Sequence, residues 1–361
     1  VIFTLPLMLL SLVGGTLADR VSKRTVIISI KVVEVFLMAA GTAALWLNPA
    51  GGVLPLIVLC GMGVHSALFS PSKYGILPEL VSHERLAAGN GLLEMWTFAA
   101  ILTGTASGGF LLQMAGDHIW LAPLTLTGLS VIGLATAFGI PPVSAARHAG
   151  GVGATIQGAW AAIQSERMLR MAIPMEILFW TVASLFGQNL LVYAKAVLHL
   201  SDAMSGLPLT VLSVGIGIGA MLVGQISKNR VEYGLIPLGA MGVFFTLLLL
   251  GVLTPPLSGT FLMMVALGIS SSFIFVPLNA ILQWKSPPDR RGAVISFSNT
   301  CVFTGILLGS LAGGSLANVG VSTTGIFLVA AVMTLAGIAW ALWLLPDTLL
   351  RLVLVVLTNT L

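Results

Sequence analysis

VIFTLPLMLLSLVGGTLADRVSKR, residues 1–24, decides the fold: an apolar run closes on Asp19 and then on Arg20, Lys23 and Arg24. An apolar stretch of about 20 residues is long enough to cross a membrane as a helix. Translocating a basic loop against the membrane potential is disfavoured, so such a loop stays in the cytoplasm. The pattern repeats down the chain. Fourteen of the 16 Lys and Arg residues fall on one side of the implied membrane: Arg20, Lys23, Arg24, Lys73, Arg85, Arg147, Arg167, Arg170, Lys228, Arg230, Lys285, Arg290, Arg291 and Arg351. The five loops that alternate with them carry no Lys or Arg.

Composition agrees with this reading. The 361 residues are 57% hydrophobic and 8% charged, where a soluble domain carries about 25% charged residues. The net charge of +4 is that of cytoplasmic loops with few balancing acids, and no nucleic-acid partner is expected. Cys60 and Cys301 both lie inside apolar runs and form neither a disulfide framework nor a metal-ligand spacing. No phosphate-cradling Gly-Lys loop and no His-x4-Asp acyltransferase box is present. We therefore expect no catalytic site, no metal and no cofactor in these residues.

Eleven spans are predicted, at 1–17, 26–47, 54–75, 88–113, 118–140, 171–198, 204–226, 234–254, 259–283, 292–317 and 323–345. Short breaks such as Asn48-Pro49-Ala50-Gly51-Gly52 and Ser286-Pro287-Pro288 separate them. An odd count with ends on opposite sides implies a helix before Val1. An internal repeat at an offset of 206 residues supports that expectation: Arg24 maps on Arg230, Pro71 on Pro277, Arg85 on Arg291 and Gly108 on Gly314. Two parallel six-helix repeats are the plan of the major facilitator superfamily. The expected fold is thus all-α and integral to the membrane, with two six-helix bundles whose first helix is missing. The first bundle, helices 2–6, covers 1–140 and the second, helices 7–12, covers 171–345. Residues 141–170 link them, with Ile156, Trp160 and Ile163 at the spacing of an amphipathic surface helix. Residues 346–361 begin a C-terminal extension.

Gly15-Thr16-Leu17-Ala18-Asp19-Arg20-Val21-Ser22-Lys23-Arg24 resembles the loop between the second and third helices of facilitator transporters. The resemblance implies a gate built on Gly15, Asp19, Arg20, Lys23 and Arg24. An anion such as Asp19 is favoured at a facing helix N-terminus. A weaker copy, Gly224-Gln225-Ile226-Ser227-Lys228-Asn229-Arg230, adds Lys228 and Arg230 and has Gln225 where Asp19 stands in the first.

The run SPSKYGILPELVSHERLAAGNGLLE, residues 70–94, resembles bacterial lysophospholipid transporters, as does Val276-Pro277-Leu278-Asn279-Ala280-Ile281-Leu282-Gln283. This implies inward movement of lysophospholipids such as lysophosphatidylethanolamine across a Gram-negative inner membrane, followed by re-acylation. One branch of that family is fused to an acyltransferase, and the tail from Pro346 resembles the start of such a domain. The partners implied are the lysophospholipid, membrane lipid and an acyltransferase in the same chain or beside it. One departure is Gly187, which stands where related transporters carry a basic residue.

Ionisable residues inside spans cost about 2.5–3.5 kcal/mol each on insertion scales, so they pair or face water. Lys31 and Glu34, three apart, share a helical face. With Lys73, Tyr74, Glu94, Gln188 and Asn189 they are the candidate substrate residues: a carboxylate suits an ammonium and a Lys suits a phosphate. Lone His65 is expected to be a packing residue. The stripes Gly104-xxx-Gly108, Gly215-xxx-Gly219 and Gly305-xxx-Gly309-xxx-Gly313 are expected at close helix contacts. Two alternatives stay open: a solute or drug antiporter of the same superfamily, and a membrane anchor for an attached acyltransferase.

Overall fold

The structure, a computed structural model, describes residues 2–145, 151–201, 204–227 and 231–344. Lys228 and Arg230 of the expected gate, and the expected extension at 346–361, lie outside the described residues.

Among the described residues the chain is helical, with no strand. The helices are α1 (Thr4–Arg20), α2 (Lys23–Leu47), α3 (Val53–Gly75), the short α4 (Leu77–Leu80), α5 (Leu86–Ala115), α6 (Leu121–Ala137) and α7 (Val152–Ser165). They continue as α8 (Arg167–Ala196), α9 (Leu207–Ile226), α10 (Leu235–Leu253), α11 (Leu257–Lys285), α12 (Arg291–Asn318) and α13 (Thr323–Leu344). Every expected span coincides with one of them. Among the described residues eight helices, fewer than the eleven spans expected, are long and apolar enough to cross a membrane: α2, α3 with its continuation α4, and α8 to α13. α6 is apolar but has only 17 residues. Many outward side chains are large and apolar, among them Phe36, Trp46, Leu262 and Trp343. Only a helix satisfies its backbone in lipid by itself, so such a surface is stable there and not in water.

Two compact units are resolved by packing. The first comprises residues 1–80, 103–165 and 286–303; the second comprises 81–102, 166–285 and 304–361. In the first, α3 packs on α1 and α2, α2 packs on α6, and α7 lies on α1. α7 buries Thr155, Gly158, Ala159, Ala162 and Ile163 and leaves Ile156 and Trp160 exposed. The expected apolar triad is thereby split. Ile163 joins the small residues that meet the bundle, and the Thr155 hydroxyl lies 2.7 Å from that of Thr16.

Close approach in this unit follows from a proline. Pro71 has no N–H, so the Ala67 carbonyl loses its donor four residues on. α1 meets that carbonyl with Gly14, where a Cβ would stand 2.5 Å from the oxygen.

In the second unit α11 packs on α9 and α10, and α13 packs on α8 and α10. Gly215, Gly219 and Gly268 let α9 and α11 touch backbone to backbone. A Cβ on Gly215 would lie 2.5 Å from the Val265 oxygen, and one on Gly268 would lie 2.3 Å from that of Leu212. Gly305 and Gly309 meet α8 at Thr181, the first at its hydroxyl and the second at its carbonyl. The Gly104 and Gly108 stripe behaves differently from expectation: no described atom lies within 4 Å of a Cβ at either position. Small residues permit close packing but do not supply a neighbour.

Deeper in the second unit, Asn90 on α5 and Gln283 on α11 exchange two hydrogen bonds, of 3.0 and 2.8 Å, with both side chains buried. Beside them a core forms from Ile216, Ala220, Val223, Leu235, Phe275 and Val276.

Gly219→Val is expected to prevent assembly of α9 on α11, whereas Gly104→Ala is expected to change stability by no more than about 1 kcal/mol, in the stabilising direction. Thermal unfolding of the purified protein in detergent compares the two. Asn90→Leu is expected to cost about 1–3 kcal/mol because a buried amide loses both bonds, and the double change Asn90→Leu, Gln283→Met to recover most of it. The same melting assay reads the coupling.

Candidate functional site

The basic loop after α1 is built around Asp19. The carboxylate is buried, and its two oxygens accept hydrogen bonds of 2.7 Å from the backbone N–H groups of Gly292 and Ala293 at the start of α12. Those N–H groups have no partner inside their own helix, and the helix dipole favours a negative charge there. The crossing requires glycine on both sides. A Cβ on Gly15 would stand 2.0 Å from the Ser296 hydroxyl oxygen, and one on Gly292 would stand 2.5 Å from the Asp19 Oδ1.

A second carboxylate, Glu79 of α4, organises the neighbouring cations. Lys23 Nζ is 2.5 Å from Glu79 Oε1, and Arg291 lies 3.9 Å from the same oxygen. Lys23 is almost fully buried. Arg24 turns the other way and donates to the Ile140 and Phe138 carbonyls at 2.6 and 3.2 Å, just beyond the end of α6. A cation there offsets the negative end of that helix. Arg20 is exposed. An open recess of about 600 Å³ lies between Glu79, Val143, Asp289 and Arg291. Glu79 and Arg291 were not among the residues expected at the gate. The sequence contained Glu79 only as one acid in a mixed loop, and its partners are remote in the chain.

A charged cluster of half-buried Lys31 and Glu34 with buried His65 lies part-way along α2 and α3. Lys31 donates to Glu34 Oε2 at 2.8 Å, the pairing that their spacing allows. His65 of α3 brings Nε2 to 3.1 Å from the same oxygen. The distance suits a hydrogen bond, but its angles do not, and neither ring nitrogen of His65 has a hydrogen-bond partner. The imidazole stacks on Phe69 with ring centres 5.7 Å apart, and the Lys31 ammonium sits 5.4 Å from that ring. His65 was expected to be a packing residue; its carboxylate neighbour comes from another helix.

The remaining candidates divide between the units. Lys73, in the first, lies 5.2 Å from the centre of the Tyr74 ring. Glu94, in the second, is buried on α5. Gln188 donates to the Ser310 hydroxyl at 2.6 Å and Asn189 to the Thr323 carbonyl at 2.7 Å, so both bond across helices. The apolar cavity of the second unit, about 280 Å³, is lined by Phe98, Phe179, Trp180, Gly187, Leu267 and Phe275 among others. Gln188 and Asn189 are not part of its lining. Its few polar contributions include Ser213 and Thr334, so it suits an apolar ligand. Among the described residues no group of His, Cys, Asp and Glu is arranged to hold a metal ion.

Comparison with known proteins follows the same lines. Residues 1–309 match the family model of the Major Facilitator Superfamily. The chain is 30% identical over 290 residues to the lysophospholipid transporter LplT of Photorhabdus laumondii, which covers 78% of this chain and 69% of that protein. It is 29% identical over 239 residues to the protein of that name from Yersinia pestis, covering 64% of this chain and 57% of the relative. The chain thus spans under two thirds of the Yersinia protein. Among solved structures, the human organic anion transporter MFSD10 superposes with a TM-score of 0.80 at 13% identity, covering 94% of this chain and 82% of the other. The fucose:proton symporter FucP of E. coli gives 0.77 at 13% identity, covering 95% and 89%. At such identities the likeness concerns fold alone. Family match, helical architecture and structural neighbours agree: this chain is a multi-pass membrane protein and belongs to the major facilitator superfamily.

Proposed function

We propose that this protein carries lysophospholipids such as lysophosphatidylethanolamine inward across the bacterial inner membrane, where they are re-acylated. The observation that carries this reading is the 30% identity, over 78% of the chain, to a protein named for lysophospholipid transport. Two features of the molecule agree with it. The half-buried Lys31 and Glu34 pair offers opposite charges to a zwitterionic headgroup. The cavity of the second unit offers an aromatic and aliphatic surface suited to part of an acyl chain.

In this reading Lys31, Glu34, Lys73 and Tyr74 of the first unit serve the headgroup, and Glu94 is a candidate of the second unit by itself. Gln188 and Asn189 belong to the candidate set through their neighbours Ser310 and Thr323. The Asp19 hydrogen bonds to α12, with Lys23, Glu79 and Arg291, act as a latch that holds one state of the gate. A latch of this kind works by differential stability: it is made in one state and broken in the other. In this reading an acyltransferase consumes the product.

Spheroplasts lacking their own lysophospholipid transporter are expected to regain uptake of lysophosphatidylethanolamine when the full-length protein is expressed; no recovery with verified membrane insertion would refute the reading. Lys31→Ala is expected to lower that uptake at least about tenfold, since a single charge-assisted hydrogen bond contributes about 1.5–3 kcal/mol. Asp19→Ala is expected to slow uptake by a similar factor with insertion unchanged, measured as initial rates at matched protein levels.

A further inference from the structure

α7 has no part in the proposed transport, yet it presents three distinct faces. Thr155, Gly158, Ala159, Ala162 and Ile163 are buried against the first unit. Val152, Ile156 and Trp160, four apart, are exposed. Gly153, Gln157, Ala161 and Gln164 are exposed as well. At about 100° per residue, the apolar stripe lies between the buried face and the glutamine face. Such an order suits a helix lying at the edge of a bilayer, with one side on the protein, one in lipid and one in water.

The height of α7 on its neighbours fits that position. The Thr155 hydroxyl lies 2.7 Å from that of Thr16, and Thr16 is about 6 Å along α1 from the basic end at Arg20. Trp160 meets the Phe297 ring at an edge, with centres 6.4 Å apart, and Phe297 is about 9 Å along α12 from its start at Arg291. Interfacial helices carry their apolar face about 5–10 Å into the boundary between headgroups and acyl chains. Trp is one of the side chains enriched at that level.

Charge decides which lipid fits. α7 carries no charged residue of its own, so the flanking side chains set the field. Arg20 is exposed one turn beyond Thr16. The Arg290 side chain runs along α7, and a Cβ on Gly158 would stand 3.4 Å from its Cδ. Arg290 lies 3.5 Å from Asp289, and both side chains are exposed, so that pair holds its partners weakly. Asp19 and Glu79, the acids of the neighbouring helix ends, are bound to α12 and to Lys23. The balance around α7 is therefore cationic, and a guanidinium matches a phosphate in geometry as well as charge.

We propose that the outer face of α7, with Arg20 and Arg290, is a docking surface for anionic phospholipid of the cytoplasmic leaflet. Val152, Ile156 and Trp160 enter the acyl region, the glutamine side faces water, and the two arginines hold the headgroup phosphate. An arginine close to an anionic membrane surface adds about fivefold to affinity, equivalent to about 1 kcal/mol. This lipid is a resident of the membrane and not the cargo, so the surface stands whether or not lysophospholipid is carried.

The test uses the 361-residue chain in nanodiscs of phosphatidylcholine with a minor share of phosphatidylglycerol. One phospholipid at a time carries bromine on its acyl chains, near the ester end or near the methyl end. Quenching at α7 is the difference in tryptophan fluorescence between the unaltered protein and Trp160→Phe. It is expected to be stronger for bromine near the ester end, and stronger for phosphatidylglycerol than its share of the bilayer accounts for. Arg20→Gln and Arg290→Gln are each expected to lower that preference about fivefold, and raised salt to weaken it in the unaltered protein. A photoactivatable phosphatidylglycerol, mapped by mass spectrometry, is expected to label residues 152–165 in preference to the matching phosphatidylcholine. That measurement needs no variant, so a poorly folding Trp160→Phe protein does not blunt the test. Equal labelling by the two lipids overturns the anionic docking surface. Absent labelling of residues 152–165, with Trp160 quenched by iodide from the water, overturns the lipid contact altogether and assigns the face to a soluble partner.

Discussion

Everything in this molecule depends on one condition of lipid: a helix gains nothing by hiding its apolar face from hydrocarbon, so helices hold together only where backbones touch or polar groups meet. The structure satisfies this in two ways. Gly14 on the Ala67 carbonyl, Gly15 on Gly292, and Gly215 and Gly268 across α9 and α11 bring main chains to distances that a Cβ would forbid. Asn90 with Gln283, Ser184 with Ser310, and Asn299 with Ser70 add hydrogen bonds between helices. The large apolar side chains that would fill a soluble core are instead often turned outward.

The same condition sharpens the few charges. Each ionised group inside a span must find a partner or water, so the surviving ones are grouped. In the first unit they form two sets with different characters. Asp19, Lys23, Glu79 and Arg291 lie where a basic loop meets two helix ends, and their partners are backbone N–H groups and one another. Lys31, Glu34 and His65 lie midway along their helices and are left with an unsatisfied imidazole. The first set suits a contact that is made and released; the second suits the binding of small charged species.

Some of this was legible in the chain. The apolar runs located the eleven long described helices other than α7, because an apolar helix is specified by local composition over about 20 residues. The pairing of Lys31 with Glu34 was legible because i,i+3 neighbours share a face whatever surrounds them. The resemblance in residues 70–94 led to the family. Less legible were contacts whose partners are distant in sequence: Asp19 with Gly292, Asn90 with Gln283, His65 with Glu34. The glycine stripes show the limit clearly. Three stripes of the same kind were read alike, yet Gly215 and Gly219, and Gly305 and Gly309, meet another helix while Gly104 and Gly108 meet none of the described residues.

What the sequence determined by itself was the set of helices, for in lipid each backbone must close its hydrogen bonds within its own segment, and apolar length alone then defines a helix. What only the tertiary structure decided was which polar side chains meet. Helices in hydrocarbon have many near-equivalent ways to lie side by side, and the choice among them turns on a few carbonyls, glycines and carboxylates far apart in the chain. His65 illustrates the difference: its type and depth were evident from the sequence, but its place beside Glu34 follows from the crossing of α2 and α3.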